Sequence, residues 1–199
     1  MSGKLGIIGG SGLYNLPELM VAERRQVETP FGPPSEELVI GQLGETEVVF
    51  LARHGAGHRL TPTELPYRAN VYALKDVGVT HLLTVSAVGS LKDELPPLSV
   101  VLPDQIIDRT IARPRTFFEQ GAVAHVGLGH PYCPCLSSSV AAAASDAGIP
   151  VVESGTYVCI EGPQFSTKAE SMLYRSWGAA VIGMTAMPEA RLAREAELC

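Results

Sequence analysis

The sequence predicts an α/β sandwich, and three observations carry that prediction. Apolar segments of strand length alternate with amphipathic segments of helix length, and glycines stand where the latter should stop. The composition, 46% hydrophobic and 18% charged, supplies an ordinary core and argues against disorder. The 199 residues read as one domain, residues 1–199.

Taken in order, residues 4–8 form a buried first strand that runs into the turn Gly9-Gly10-Ser11-Gly12, where successive backbone amides can face an anion. Residues 38–43 and 47–52 form a hairpin about Gly44-Glu45, and the second strand ends at Arg53-His54-Gly55. Tyr67, Val71, Leu74 and Val77 recur at helical spacing, with Gly78 placed to end that helix. Residues 81–86 are mostly apolar, as a strand buried on both faces should be.

A second unit has Ser137 as the cap of a helix running through Ala147, Gly148 as its stop, and a strand over residues 151–160. A third has Thr167 and Glu170 in capping-box spacing, a helix through Trp177, Gly178 as terminator, and a strand over residues 180–183. The last helix starts near Pro188 and places Leu192, Ala196 and Cys199 on one face, so the sequence reads as stopping in mid-helix.

A net charge of -6 and a pI near 5.4 make nucleic acid or an anionic membrane an unsuitable general partner, but leave room for a local site for one small anion. No basic region leads into a long apolar run, so a soluble, cytoplasmic protein is expected. The four cysteines show neither a disulfide framework nor zinc spacing; reduced thiols and no metal site are expected.

Two common active-site patterns fail on spacing. A dinucleotide fingerprint beginning at Gly10 needs a third glycine where Asn15 stands, and a nucleophile elbow around Ser11 needs a glycine where Leu13 stands. What remains is an anion nest with a hydroxyl, joined by the fork-shaped cation and imidazole of Arg53-His54. Three further segments, Thr84-Val-Ser-Ala-Val-Gly-Ser90, Glu161-Gly-Pro-Gln-Phe-Ser166 and Ile182-Gly-Met-Thr-Ala-Met-Pro-Glu189, each close an expected strand with small or hydroxyl residues. In α/β sandwiches functional groups collect at such strand ends.

These segments, with Gly6-Ile-Ile-Gly-Gly-Ser-Gly-Leu13, Tyr67-Arg-Ala-Asn70 and Ala169-Glu170, follow one another in the order found in the trimeric purine nucleoside phosphorylase family. The chain resembles its methylthioadenosine phosphorylase branch over essentially all of its length. The resemblance implies a three-layer sandwich around a mixed, largely parallel twisted sheet, incomplete at the C-terminus. It implies that Ser11, Arg53, His54, Ser86 with the Ala87 backbone, and Thr185 surround phosphate. Met184 would lie against the ribose, Phe165 against the purine, and His125 would reach into a neighbouring subunit's site of a homotrimer. Ser166 stands where the branch favouring 6-oxopurines carries glutamate, which favours an adenine nucleoside. The catalytic acid that protonates the base would lie beyond Cys199.

The implied reaction is phosphorolysis of 5'-methylthioadenosine, a step of purine and methionine salvage. Inorganic phosphate is the co-substrate, and neither a metal nor an organic cofactor is needed. The implied partners are a small-molecule nucleoside and phosphate. Two alternatives stay open: a methylthioinosine or inosine/guanosine phosphorylase, and a non-catalytic nucleoside- or phosphate-binding fragment. Against the family pattern, Gly129-His130 replaces a small residue followed by an acid, and Ala180 stands where aspartate is common.

Overall fold

The computed structural model describes residues 3–10 and 18–199. Its strands are β1 (Lys4–Gly9), β2 (Met20–Arg25), β3 (Leu38–Leu43), β4 (Thr46–Ala52), β5 (Val79–Val85), β6 (Gly89–Ser90), β7 (Val100–Val101), β8 (Gln105–Arg109), β9 (Val151–Val152), β10 (Thr156–Ile160) and β11 (Ala179–Gly183). Its helices are α1 (Tyr67–Asp76), α2 (Pro134–Asp146), α3 (Lys168–Ser176) and α4 (Ala186–Glu195).

Among the described residues the strands form a five-stranded sheet, β2-β3-β4-β1-β5, a four-stranded sheet, β6-β11-β10-β8, and the short pair β7-β9. Parallel pairing dominates as expected: β1 is parallel to both β4 and β5, and β10 to both β8 and β11.

In the first sheet side chains alternate across the strands, and this sorts the core into layers. Ile8, Val49 and Leu51 face α1 and Leu192 of α4, while Ile7, Val48 and Phe50 form a separate cluster on the other face. In the second sheet Tyr157, Cys159 and Val181 pack on Ala186 and Met187 at the start of α4, and Val158 and Ala179 pack on Tyr174 of α3. Helices α3 and α4 therefore cover opposite faces of that sheet.

The local signals that placed the helices act as expected. Gly78, Gly148 and Gly178 end α1, α2 and α3 with φ of 87°, 69° and 81°, a left-handed conformation that costs glycine little. The Thr167 hydroxyl accepts the Glu170 N–H and the Glu170 carboxylate returns the contact, completing the capping box of α3.

Four expectations are corrected. Helix α2 begins at Pro134 with Cys133 as N-cap, not at Ser137, because proline is well suited to the first helical turn. The single strand expected over residues 151–160 is broken by Gly155, at φ 154°, into β9 and β10, which enter different sheets. Strand β5 is mostly half-buried, since it lies at the edge of its sheet. Helix α4 ends at Glu195; Glu197 turns left-handed at φ 56°, and Cys199 lies outside the helix, its N–H donating to Thr80 O at 2.9 Å and its carbonyl accepting from Leu82 N at 2.8 Å.

Cys199 is also joined to Cys133 by a disulfide with a Cα–Cα distance of 5.4 Å, where reduced thiols were expected. The partners are 66 positions apart, a pairing that spacing rules for short motifs do not reach.

Candidate active site

The C-terminal ends of β1, β4, β5, β10 and β11 converge on a cavity of about 600 Å³. Each strand delivers its next residues to the wall: Gly10 after β1, Arg53 and His54 after β4, Ser86 and Ala87 after β5, and Met184 and Thr185 after β11. Phe165 and Ser166, from the segment following β10, complete the opposite side. The crevice at the carboxyl ends of parallel strands is where such sheets place ligands.

Of the site residues expected from the sequence, Arg53, His54, Ser86, Ala87, Thr185, Met184, Phe165 and Ser166 are thus brought together. Ser11 lies outside the described residues, although its neighbour Gly10 is on the cavity wall. His125 is exposed and is not part of this wall.

Arg53 is the electrostatic centre. Its side chain is 1% exposed and its partner Glu189, on α4, is 2% exposed. The guanidinium grips the carboxylate through Nε at 2.6 Å and Nη2 at 3.2 Å, and Nη1 donates to Val85 O at 2.8 Å. Burial works against the arginine's charge, but Glu189's attraction and hydrogen bonds outweigh it and the net direction is upward. Burial pushes the Glu189 carboxyl up, and although the charge and hydrogen bonds of Arg53 pull it back, the net direction is upward. The fork expected to face an anion is therefore largely taken up by Glu189. What it offers the cavity is a fixed positive charge.

His54 is buried, and its Nδ1 donates to Leu60 O at 2.8 Å. Its ring stacks on His58 with 4.0 Å between centroids, and His58 also lines the cavity. Burial lowers the pKa of His54 first; the Leu60 carbonyl raises it, and His58 and Arg53 lower it further.

A second buried arginine, Arg113, organises the loops behind the wall. It donates to Tyr67 Oη at 2.9 Å, to the carbonyl oxygens of Met184 and Met187, and to Glu161 O at 2.6 Å. The Glu161 carboxylate accepts from Thr63 Oγ1 and Ile111 N and lies 3.5 Å from Arg113 Nε. Burial would raise the Glu161 pKa, but these donors and the arginine's charge prevail and hold it low. Met184 is thereby tied through Arg113 to Tyr67 and Glu161.

Glu189, Arg113 and His58 are participants that sequence reasoning did not single out. Glu189 looks like an ordinary acid in the first turn of a helix, and its partner is 136 positions away. His58 had a signal: it is a second histidine close after Arg53-His54.

Toward the mouth the character changes. Phe165 is 89% exposed, and the Ser166 hydroxyl pairs with that of Ser171 at 2.8 Å. Ala180, by contrast, is buried with its Cβ beside Gly155, and the exposed Gly129 accepts a hydrogen bond from the Gln105 side chain; neither of these two departures from the family pattern lines the cavity.

The model of the phosphorylase superfamily matches residues 4–199 of the chain. A protein of Koribacter versatilis, S-methyl-5'-thioadenosine phosphorylase, is 57% identical over 199 residues, covering 100% of this chain and 68% of its own length. The protein of that name from Thermosynechococcus vestitus is 56% identical over 201 residues, covering 100% of this chain and 70% of its own length. Among solved structures, a methylthioadenosine phosphorylase from an antarctic soil metagenomic library superposes with a TM-score of 0.94 at 53% identity, covering 99% of this chain and 70% of that one. Methylthioadenosine phosphorylase from Schistosoma mansoni in complex with tubercidin superposes at 0.96 with 39% identity, covering 98% and 77%.

Proposed function

The chain belongs to the phosphorylase superfamily, and on that premise we propose that it cleaves the N-glycosidic bond of 5'-methylthioadenosine with phosphate, giving adenine and 5-methylthioribose 1-phosphate. The observation that carries the reading is the convergence of Arg53, His54, Ser86 and Thr185 on one cavity at strand ends. The names of relatives more than half identical over the whole chain supply the substrate.

Phosphate sits against the fixed charge of Arg53 and the hydroxyls of Ser86 and Thr185. One of its oxygens bonds to the anomeric carbon while the carbon–nitrogen bond breaks and the purine leaves with the electron pair, taking up a proton from water. The sugar passes through an oxocarbenium-like transition state, so the bound dianion is both nucleophile and neighbouring counter-charge. Because Glu189 and Arg113 hold the wall in place beforehand, little reorganisation accompanies the attack.

Met184 lies against the ribose and Phe165 covers the purine from the mouth. Ser166 leaves the purine's edge without the carboxylate that a 6-oxopurine's ring N–H would need, which favours adenine. His125 reaches a neighbouring subunit of a homotrimer, and the protein works in the cytoplasm; among the described residues no helix is long and apolar enough to cross a membrane. No cofactor takes part.

The test is to follow adenine release from methylthioadenosine by the purified protein with and without phosphate. Release that rises with phosphate and saturates is expected. Release at the same rate without phosphate, or equal cleavage of inosine, contradicts the reading.

A further inference from the structure

Tyr157 of β10 is 4% exposed, and its hydroxyl has no hydrogen-bond partner among the described residues. Buried polar groups are seldom left so, and an unpaired one calls for an explanation. The ring crosses neighbouring strand β11 at Gly183, where a Cβ would stand 2.6 Å from the ring carbon bearing the hydroxyl and closer still to the oxygen. Only glycine at 183 lets the tyrosine reach this far. Gly183 lines the cavity together with Ser86 and Thr185, so the hydroxyl is aimed at the wall where phosphate is placed.

Among the described residues one other buried tyrosine hydroxyl is unpaired, that of Tyr132. Burial raises the Tyr157 pKa to about 12, and the nearby Ser86 side chain and Thr185 backbone, with the charge of Arg53, act in the opposite direction. At neutral pH the hydroxyl keeps its proton and can donate it.

We propose that Tyr157 is a positioning residue for phosphate: when the anion binds, the hydroxyl, unpaired beforehand, donates to Ser86 Oγ, which leaves the single Ser86 proton for a phosphate oxygen. The result is a relay of aligned hydroxyl dipoles that ends at the anion and strengthens as each bond polarises the next. A serine has one proton and the charged phosphate oxygens accept, so a donor behind Ser86 fixes which way that proton points.

This inference rests on the phosphorolysis reading, and the test separates the two. Tyr157→Phe removes only the oxygen. The phosphate KM should rise about three- to tenfold, the effect of losing one neutral hydrogen bond, while the nucleoside KM stays within about twofold and the melting temperature of the unliganded protein does not fall. In a Ser86→Ala background, Tyr157→Phe should change the phosphate KM by less than about twofold, because the relay is already cut.

An unchanged phosphate KM in Tyr157→Phe overturns the assignment, as does an effect equally large with and without Ser86. A lowered melting temperature with equal losses in both KM values also overturns it, by showing a purely structural role. If the unmutated protein shows no dependence on phosphate, it is the phosphorolysis reading that fails, and this inference falls with it.

Discussion

The floor and the mouth of the cavity are built on opposite plans. At the floor, Arg53, His54, Thr185 and Glu189 are all buried, and every charged group has its partner before any ligand arrives. At the mouth, Phe165 stands 89% exposed, and Met172, Leu173 and Trp177 of the adjoining α3 region are exposed as well. The difference separates two tasks. Holding a dianion in a fixed pose needs charges and dipoles set in advance, whereas enclosing an apolar purine and a methylthio group can be left to surfaces that close on the substrate.

The sharpest way to break the floor is to discharge Glu189. In Glu189→Gln the arginine is left with a buried charge it cannot lose, and unfolding in guanidinium should show a loss of about 3–5 kcal/mol. Arg53→Met should cost less, because the stranded carboxyl can take up a proton, as its upward tendency already indicates. Equal losses, or a loss in Glu189→Gln below about 1 kcal/mol, would mean that the pair does not hold the floor.

The mouth should respond in the opposite sense. Phe165→Ala removes an exposed ring, so stability should change by no more than about 0.5 kcal/mol. Steady-state kinetics should show the nucleoside KM rising about tenfold, with the phosphate KM unaffected. A rise in the phosphate KM instead would erase the proposed division.

A smaller effect concerns pH. The pKa of His54 is depressed below its ordinary 6.5 in the folded protein, chiefly by burial. Between the folded and unfolded values the unfolded chain binds the proton and the folded one does not, so this contribution to stability is present above about pH 6.5 and is lost as the pH falls toward the folded value. Denaturant midpoints between about pH 7.5 and pH 5.5 should decline, and His54→Gln should flatten the decline. Added phosphate should flatten it too, since a bound dianion favours the imidazolium. A slope identical in His54→Gln would assign the pH dependence to other groups.

The same contrast between local and distant causes explains how much was legible in the sequence. Gly78, Gly148 and Gly178 stop helices through their own backbone freedom, and Thr167 with Glu170 starts one through contacts three residues apart, so these boundaries could be read from neighbours alone. The strand ends and the Arg53-His54 pair were legible as places for an anion, while the individual roles of Ser86, Ala87, Phe165, Ser166, Met184 and Thr185 came from the family resemblance of the segments that carry them. Glu189 and Arg113 were not, because their partners come from other segments brought together only by the fold. Cys133 and Cys199 escaped notice for the same reason, and Gly155 because a break between two strands of different sheets looks, in one dimension, like a pause within a single strand.

The central claim is that phosphate held at the floor is itself the nucleophile. Phosphate labelled with oxygen-18 at all of its oxygens tests this directly in a single turnover with methylthioadenosine. The account predicts a sugar 1-phosphate that keeps every labelled oxygen, the one bridging to the anomeric carbon included. Free methylthioribose, its anomeric oxygen drawn from unlabelled water, would contradict it.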